Sequence, residues 1–401
     1  MSDFDLHLNQ KLEALRREGL YRQMRQSDSP QGRQIELQGK TLLNFASNDY
    51  LGLANEPALK EAAIESATRY GAGAGASRLI CSLAPHNELD QAIAEFKGTE
   101  AALSFSTGYG TAIGTICALL GKDDVILVDK LVHACIVDAA RLCGAKLRVF
   151  NHNDVEDLQM ALEWVDSRES IGNRSHTLIV TESVFSMDGD CAPLKEIVAL
   201  KEKHGAWLMV DEAHATGIYG TNGRGVAEEQ GVAESIEIQM GTLGKALGAS
   251  GGYIAGSRAL IDFLVNRSRS LIFSTAPVPA AVAAAKAGIN FVQSVEGKKR
   301  RELLWQRIRE FGAALTNPRT EFASAIVPII IGKEQDAVNA AAGLREAGIF
   351  VPAIRYPSVA RGQARLRVTI TAAHEEEDVR RLNAALASLL PGIKQPIEVR
   401  A

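Results

Sequence analysis

Trp207-Leu208-Met209-Val210 is a short apolar run that ends in Asp211-Glu212-Ala213-His214, and Gly241-Thr242-Leu243-Gly244-Lys245 follows before the next apolar run, Tyr253-Ile254-Ala255. A run that is apolar throughout suits a strand buried on both faces, and this one delivers an acid at its carboxyl end, the edge where ligands of open α/β sheets gather. Lys245 is bracketed by Gly244, Ala246 and Gly248, and Ser250-Gly251-Gly252 leads into the next run, so a loop of small residues presents one amine beside a strand. Small neighbours let a flat ring approach the backbone. Taken singly, an acid after a strand is a turn cap and a lysine near glycines is a solvated lysine. Together, acid, imidazole and amine supply what pyridoxal phosphate chemistry needs: a lysine that holds the aldehyde covalently and a carboxylate that keeps the ring nitrogen protonated.

Working outward, the runs 101–106, 124–128, 146–150, 177–181, 207–210, 236–240 and 252–255 alternate with helical stretches, which predicts an α/β fold whose large domain, 51–292, is built on a mostly parallel seven-stranded sheet. The Ala-rich stretch 280–287 reads as a helix packed closely on its neighbours. A charged helical region over 298–314 and apolar runs at 325–331 and 365–370 predict a smaller α+β domain, 293–401. Ahead of both, residues 1–50 form an amino-terminal segment in which Leu6, Leu8, Leu12, Leu15 and Leu20 lie among charges, as in an amphipathic helix. Residues 34–43 then alternate around Gln38-Gly39, as a hairpin would.

At 401 residues the chain exceeds the size at which a single core stops growing. It is 46% hydrophobic and 23% charged with a net charge of −4, so no basic excess points to nucleic acid or a membrane surface. Met1-Ser2-Asp3-Phe4-Asp5 has no cationic or apolar leader pattern, and a cytoplasmic location is expected. Cys81, Cys117, Cys135, Cys143 and Cys191 are odd in number and form no C-x-x-C pair, so neither a disulfide framework nor a metal site is expected and they read as small buried hydrophobes.

Further candidates sit at other strand ends. Ser104-Phe105-Ser106-Thr107-Gly108-Tyr109-Gly110 follows a strand and opens the apolar helix 111–120, so backbone N–H groups at the helix start can meet a dianion. His133 comes just after the run 124–128, whereas His152 in Asn151-His152-Asn153-Asp154 reads as a turn residue.

Asp211-Glu212-Ala213-His214, Thr242-Leu243-Gly244-Lys245 and Ser183-Val184-Phe185-Ser186-Met187-Asp188-Gly189-Asp190 resemble the signature blocks of the α-oxoamine synthases, pyridoxal phosphate enzymes of fold type I, over about residues 44–374. The resemblance implies that Lys245 carries the cofactor and acts as general base, that Asp211 faces the ring nitrogen, that His133 stacks over the ring, and that His214 and Ser183 lie by the phenolic oxygen. It also implies phosphate contacts from Thr107, Gly108, Tyr109 and Thr242, and from Ser274 and Thr275 of the other subunit of a homodimer. Asn48 would sit at the substrate mouth, Arg367 would fork the amino-acid carboxylate, and Arg22 would meet the acyl donor. The substrates so implied are an amino acid, L-alanine first, and an acyl thioester, joined by decarboxylative condensation. One segment departs from the family: Cys81-Ser82-Leu83 stands where a Gly-Thr pair is common, which leaves the acyl group open.

Overall fold

The computed structural model describes residues 2–167, 175–315 and 322–390, and the carboxyl end of the expected small domain, 391–401, lies outside them. The chain divides into two compact units, one of Leu53–Ser186 with Cys191–Arg301 and one of Met1–Gly52 with Met187–Asp190 and Glu302–Ala401.

The second of these begins with the helix Asp3–Arg17. Ser2 and Asp5 form a capping box at its start, acids fill its first turn and Arg16 and Arg17 its last, as the helix dipole favours. Strands β1 (Gln34–Leu37) and β2 (Lys40–Asn44) form the expected hairpin, with Leu37 opposite Lys40. Its two-residue turn places Gln38 at φ 53° and Gly39 at φ 74°, the left-handed pair that a primed turn requires.

The other unit carries the sheet. Strands β3 (Ala101–Phe105), β4 (Val125–Asp129), β5 (Lys146–Phe150), β6 (Thr177–Glu182), β7 (Trp207–Asp211), β8 (Ile238–Thr242) and β9 (Gly252–Gly256) lie in the order β3-β9-β8-β7-β6-β4-β5. Only β9 runs against its neighbours, so the carboxyl ends of β3, β4, β6, β7 and β8 share one edge. Their central residues, Ile126, Leu127, Leu178, Ile179, Val180, Leu208, Met209 and Val210, are fully buried, which is why each run reads as apolar without alternation. The helix Pro279–Gln293 packs as closely as its alanines suggest: a Cβ on Gly288 would lie 2.1 Å from the Leu247 carbonyl oxygen.

Back in the unit that begins with the helix Asp3–Arg17, β10 (Ile326–Gly332), β12 (Ala353–Ile354) and β13 (Ala364–Thr369) form an antiparallel sheet in the order β10-β13-β12. The amino-terminal segment, expected as a piece of its own, shares this unit because β11 (Ile349–Phe350) pairs in parallel with β2, while Phe350 also packs on Ile35, Leu37 and Leu42. His374 is buried here, stacked on Phe45 with ring centroids 4.0 Å apart.

Among the cysteines only Cys135 is buried; Cys81 is exposed and the other three are half-buried, all of them free thiols. Cys81 is a correction to the expected burial, for it follows the exposed Leu79 and Ile80. No helix among the described residues is long and apolar enough to cross a membrane.

Candidate active site

Each strand that ends on the shared edge contributes a group. β7 delivers Asp211, which is 4% exposed and accepts the Ala213 N–H at 2.9 Å. The chain turns at once, with the Ala215 and Thr216 N–H groups returning to the Glu212 carbonyl, and this turn presents the buried His214. β8 ends at Thr242, whose hydroxyl donates to the Gly251 carbonyl at 3.0 Å and accepts the Gly244 N–H at 3.2 Å. That pins the small-residue loop and brings Lys245 Nζ to 2.7 Å from His214 Nε2. The ammonium donates, so the imidazole proton sits on the other nitrogen.

Burial, above all, raises the pKa of Asp211, and the Lys245 charge opposes it. A carboxylate held where its charge is penalised gains most from a cation placed against it. His133 caps the helix Ala134–Leu142 and its Nδ1 accepts the Cys135 N–H at 3.3 Å, 3.0 Å from the Cys135 sulfur. Its surface is open to solvent, yet the strand ends around it desolvate the ring enough to lower its pKa.

β3 leads into the helix Gly108–Leu119, capped by Thr107 whose hydroxyl accepts the Gly110 N–H at 2.9 Å. This helix start is seated on β9: a Cβ on Gly252 would lie 2.7 Å from Gly108 Cα and 2.5 Å from the Thr111 hydroxyl. A Cβ built on Gly108 would in turn lie 3.9 Å from the Thr242 hydroxyl, so Thr107, Gly108 and Thr242 are brought together as the sequence led one to expect. Tyr109 donates to Asp138 at 2.6 Å, tying this helix to the one that starts at His133. Ser183 follows β6, fully buried, with no hydrogen-bond partner for its hydroxyl. Among the described residues no hydrogen bond joins Ser274 or Thr275 to these groups; Thr275 is exposed beside Phe273.

In the other unit, Arg367 is 4% exposed on β13, and its Nη1 donates to Asn48 Oδ1 at 3.0 Å and to the Thr369 hydroxyl at 2.8 Å. Asn48 and Arg367 are thus a fixed pair. Arg22 is exposed and donates to the Tyr356 carbonyl at 2.9 Å. His152 is a turn residue, its Nδ1 3.0 Å from Asp129 Oδ1 at the end of β4.

Sequence reasoning missed Glu182. It ends β6 as Asp211 ends β7, and the two are register partners on parallel strands. Glu182 Oε2 accepts the Ser186 N–H at 3.1 Å while Oε1 is buried without a partner. Burial first, then the Asp211 charge, push its pKa up to about 8. The signal was available, since Thr177-Leu178-Ile179-Val180-Thr181-Glu182 is an apolar run closed by an acid, like 207–211.

Comparison with known proteins agrees with this arrangement. The family described as aminotransferase class I and II matches residues 40–386. The chain is 45% identical over 383 residues to an 8-amino-7-oxononanoate synthase of Geobacter sulfurreducens, covering 94% of this chain and 96% of that one. It is 48% identical over 385 residues to the 8-amino-7-oxononanoate synthase of Anaeromyxobacter sp. strain Fw109-5, with 96% and 95% covered. Among solved structures, a serine palmitoyltransferase from S. paucimobilis bound to a PLP–myriocin adduct superposes with a TM-score of 0.88 at 30% identity, covering 96% of this chain and 97% of that one.

Proposed function

Because this chain belongs to the α-oxoamine synthases, pyridoxal phosphate enzymes within the aminotransferase class I and II family, we propose that it condenses L-alanine with a pimeloyl thioester to give 8-amino-7-oxononanoate, carbon dioxide and the free thiol. The product belongs to biotin synthesis. The observation that carries the chemistry is the Lys245 amine held 2.7 Å from His214 at the strand edge that also presents the buried Asp211. Alanine and the pimeloyl group rest on the names of the relatives.

The residues present fit the cofactor. A phosphate suits the start of the helix Gly108–Leu119 with Thr107 and Thr242 beside it, and the unpartnered Ser183 hydroxyl suits a polar ring substituent. When bound, pyridoxal phosphate supplies an electron-withdrawing ring that takes up the charge left at the amino acid's α-carbon. Asp211 would keep the ring nitrogen protonated. Lys245 would hold the cofactor through its Nζ, and the same amine would serve as the general base that takes the α-proton; proximity supplies much of the rate. His214 accepts a hydrogen bond from Lys245 and so aims the amine. His133 would hold the ring from one face, and desolvation, which lowers its pKa, favours the neutral imidazole for that role. Arg367, fixed by Asn48 and Thr369, takes the substrate carboxylate through its fork and releases it as carbon dioxide leaves. Arg22 contacts the acyl donor.

The active form is a cytoplasmic homodimer in which half-buried Ser274 and exposed Thr275 of one copy reach the phosphate of the other. Turnover of L-alanine, glycine and L-serine against pimeloyl, acetyl and succinyl thioesters tests the assignment. Preference for glycine with acetyl-CoA would replace it with a 2-amino-3-ketobutyrate CoA ligase.

A further inference from the structure

The unit that contains β10 to β13 gathers guanidinium groups without acids to match them. Arg22 Nη2 donates to the Tyr356 carbonyl at 2.9 Å and Arg355 donates to the Gly19 carbonyl, so the irregular segment 20–26 runs beside residues 355–356. Arg25 in the same segment sits over the Phe350 ring, 6.0 Å from its centroid. Arg345 ends the helix Glu334–Glu346, and its charge acts on Arg25 as those of Arg22 and Arg25 act on Arg355. Burial, then this repulsion, lowers the pKa of both Arg25 and Arg355.

Among the described residues none of these arginines is in an ion pair; Glu334 is the acid whose charge reaches Arg355, and Glu18 is taken by Arg361 at 3.0 Å. Arg355 Nε is buried without a hydrogen-bond partner. Converging like charges oppose the fold unless an anion offsets them. A carboxylate at the end of an acyl chain brings one negative charge, whereas a phosphate ester brings up to about two and presents oxygens that match guanidinium forks. The excess of positive charge fits the phosphate better.

Resting on the reading that an acyl thioester is a substrate, we propose that Arg22, Arg25, Arg345 and Arg355 form the binding site for phosphate on the pantetheine-bearing carrier of that thioester. The same phosphate chemistry occurs on coenzyme A and on the prosthetic arm of a carrier protein.

The test titrates free coenzyme A, which has no acyl chain, into the cofactor-loaded protein and into Arg25→Gln and Arg355→Gln, and measures KM for three pimeloyl thioesters: of coenzyme A, of a carrier protein and of N-acetylcysteamine, which has no phosphate. Each substitution should weaken free coenzyme A by about tenfold or more, in keeping with a lost charged hydrogen bond, and leave KM for the N-acetylcysteamine ester within about twofold. An equal rise in KM for the carrier-protein ester places the shared phosphate at the cluster; a rise for the coenzyme A ester alone places the nucleotide phosphates there. Unchanged coenzyme A affinity, or an equal rise for all three esters, overturns the proposal, the latter by pointing to the chain-end carboxylate. Arg25 is exposed, so its variant carries the test should Arg355→Gln fail to fold. If no thioester turns over, the proposed reaction fails, while the coenzyme A titration still decides the anion site.

Discussion

Glu212 stands between Asp211 and His214, and its side chain goes to neither. Its carboxylate, 0% exposed, receives Lys97 Nζ at 2.5 Å from the end of the helix Ala84–Lys97 and the Ala227 N–H at 2.9 Å. Lys97 also donates to the Arg224 carbonyl. The loop closes on this carboxylate through Gly225, at φ 131°, where a Cβ would lie 2.3 Å from Glu212 Oε2. Glu212→Gln keeps an acceptor for Ala227 but strands the Lys97 charge in the interior. Breaking one side of a buried pair costs about 3–5 kcal/mol, a large part of a typical stability of about 5–15 kcal/mol. Lys97→Met/Glu212→Gln removes both charges and should be more stable than Glu212→Gln alone. Urea unfolding, followed beside the absorbance of bound pyridoxal phosphate, reads both the fold and the turn that carries Asp211 and His214. A Glu212→Gln protein within 1 kcal/mol of the parent, or a double variant equal to the sum of the single losses, would refute the reasoning.

Arg367→Lys keeps the charge but loses the fork, and should raise KM for L-alanine by about tenfold to a hundredfold, with Arg367→Leu worse and KM for the thioester near its starting value; equal rises for both substrates would mean a folding role. His374 Nε2 donates to the Asn44 carbonyl and Nδ1 accepts the Thr371 N–H, both at 3.0 Å, so the neutral ring is built in and burial lowers its pKa to about 4. The unfolded chain then binds the extra proton below about pH 6.5, so stability is full above that pH and falls by about 3 kcal/mol as pH drops towards 4. His374→Gln should flatten that slope in urea midpoints, and an unaltered slope would contradict the account. Glu182, raised to about 8, is neutral at pH 7, so its stabilising contribution is lost as pH rises from about 4.5 through 8. Glu182→Gln should therefore match the parent near pH 4.5 and exceed it by a margin that grows up to about pH 8; a loss of stability at pH 9 would show that the charged form is the one required.

The large sheet was legible because its central strands β4, β6 and β7 are buried on both faces, and the edge strand β5, largely exposed, still stands out between turn residues. Expected runs such as 146–150 and 207–210 match β5 (Lys146–Phe150) and β7 (Trp207–Asp211) to within a residue. The hairpin was legible because Gln38-Gly39 marks its turn. What stayed hidden depends on distant partners. β11 and β12 are two residues each, too short to carry a period, so nothing local tied the amino-terminal hairpin to residues 349–350. Arg365-Leu366-Arg367-Val368 alternates like a half-exposed strand, yet all of β13 is buried, with Arg365 paired to Asp188 at 2.7 Å and Arg367 held by Asn48. Lys97 ends a helix as any solvated lysine would, and only the fold shows that it neutralises Glu212. At the candidate site, Asp211, His214 and Lys245 could be read from adjacent strand ends. Glu182 shared that pattern and was passed over because no signature block began at it.

The central claim is that carbon–carbon bond formation is coupled to loss of the amino acid's carboxyl group. L-alanine labelled with carbon-13 at C1, incubated with pimeloyl-CoA and the cofactor-loaded protein, tests it in one mass-spectrometric measurement. The account predicts one labelled carbon dioxide for each free thiol and each amino ketone formed, and no label in the ketone. Label retained in the product, or thiol released without carbon dioxide, would contradict it.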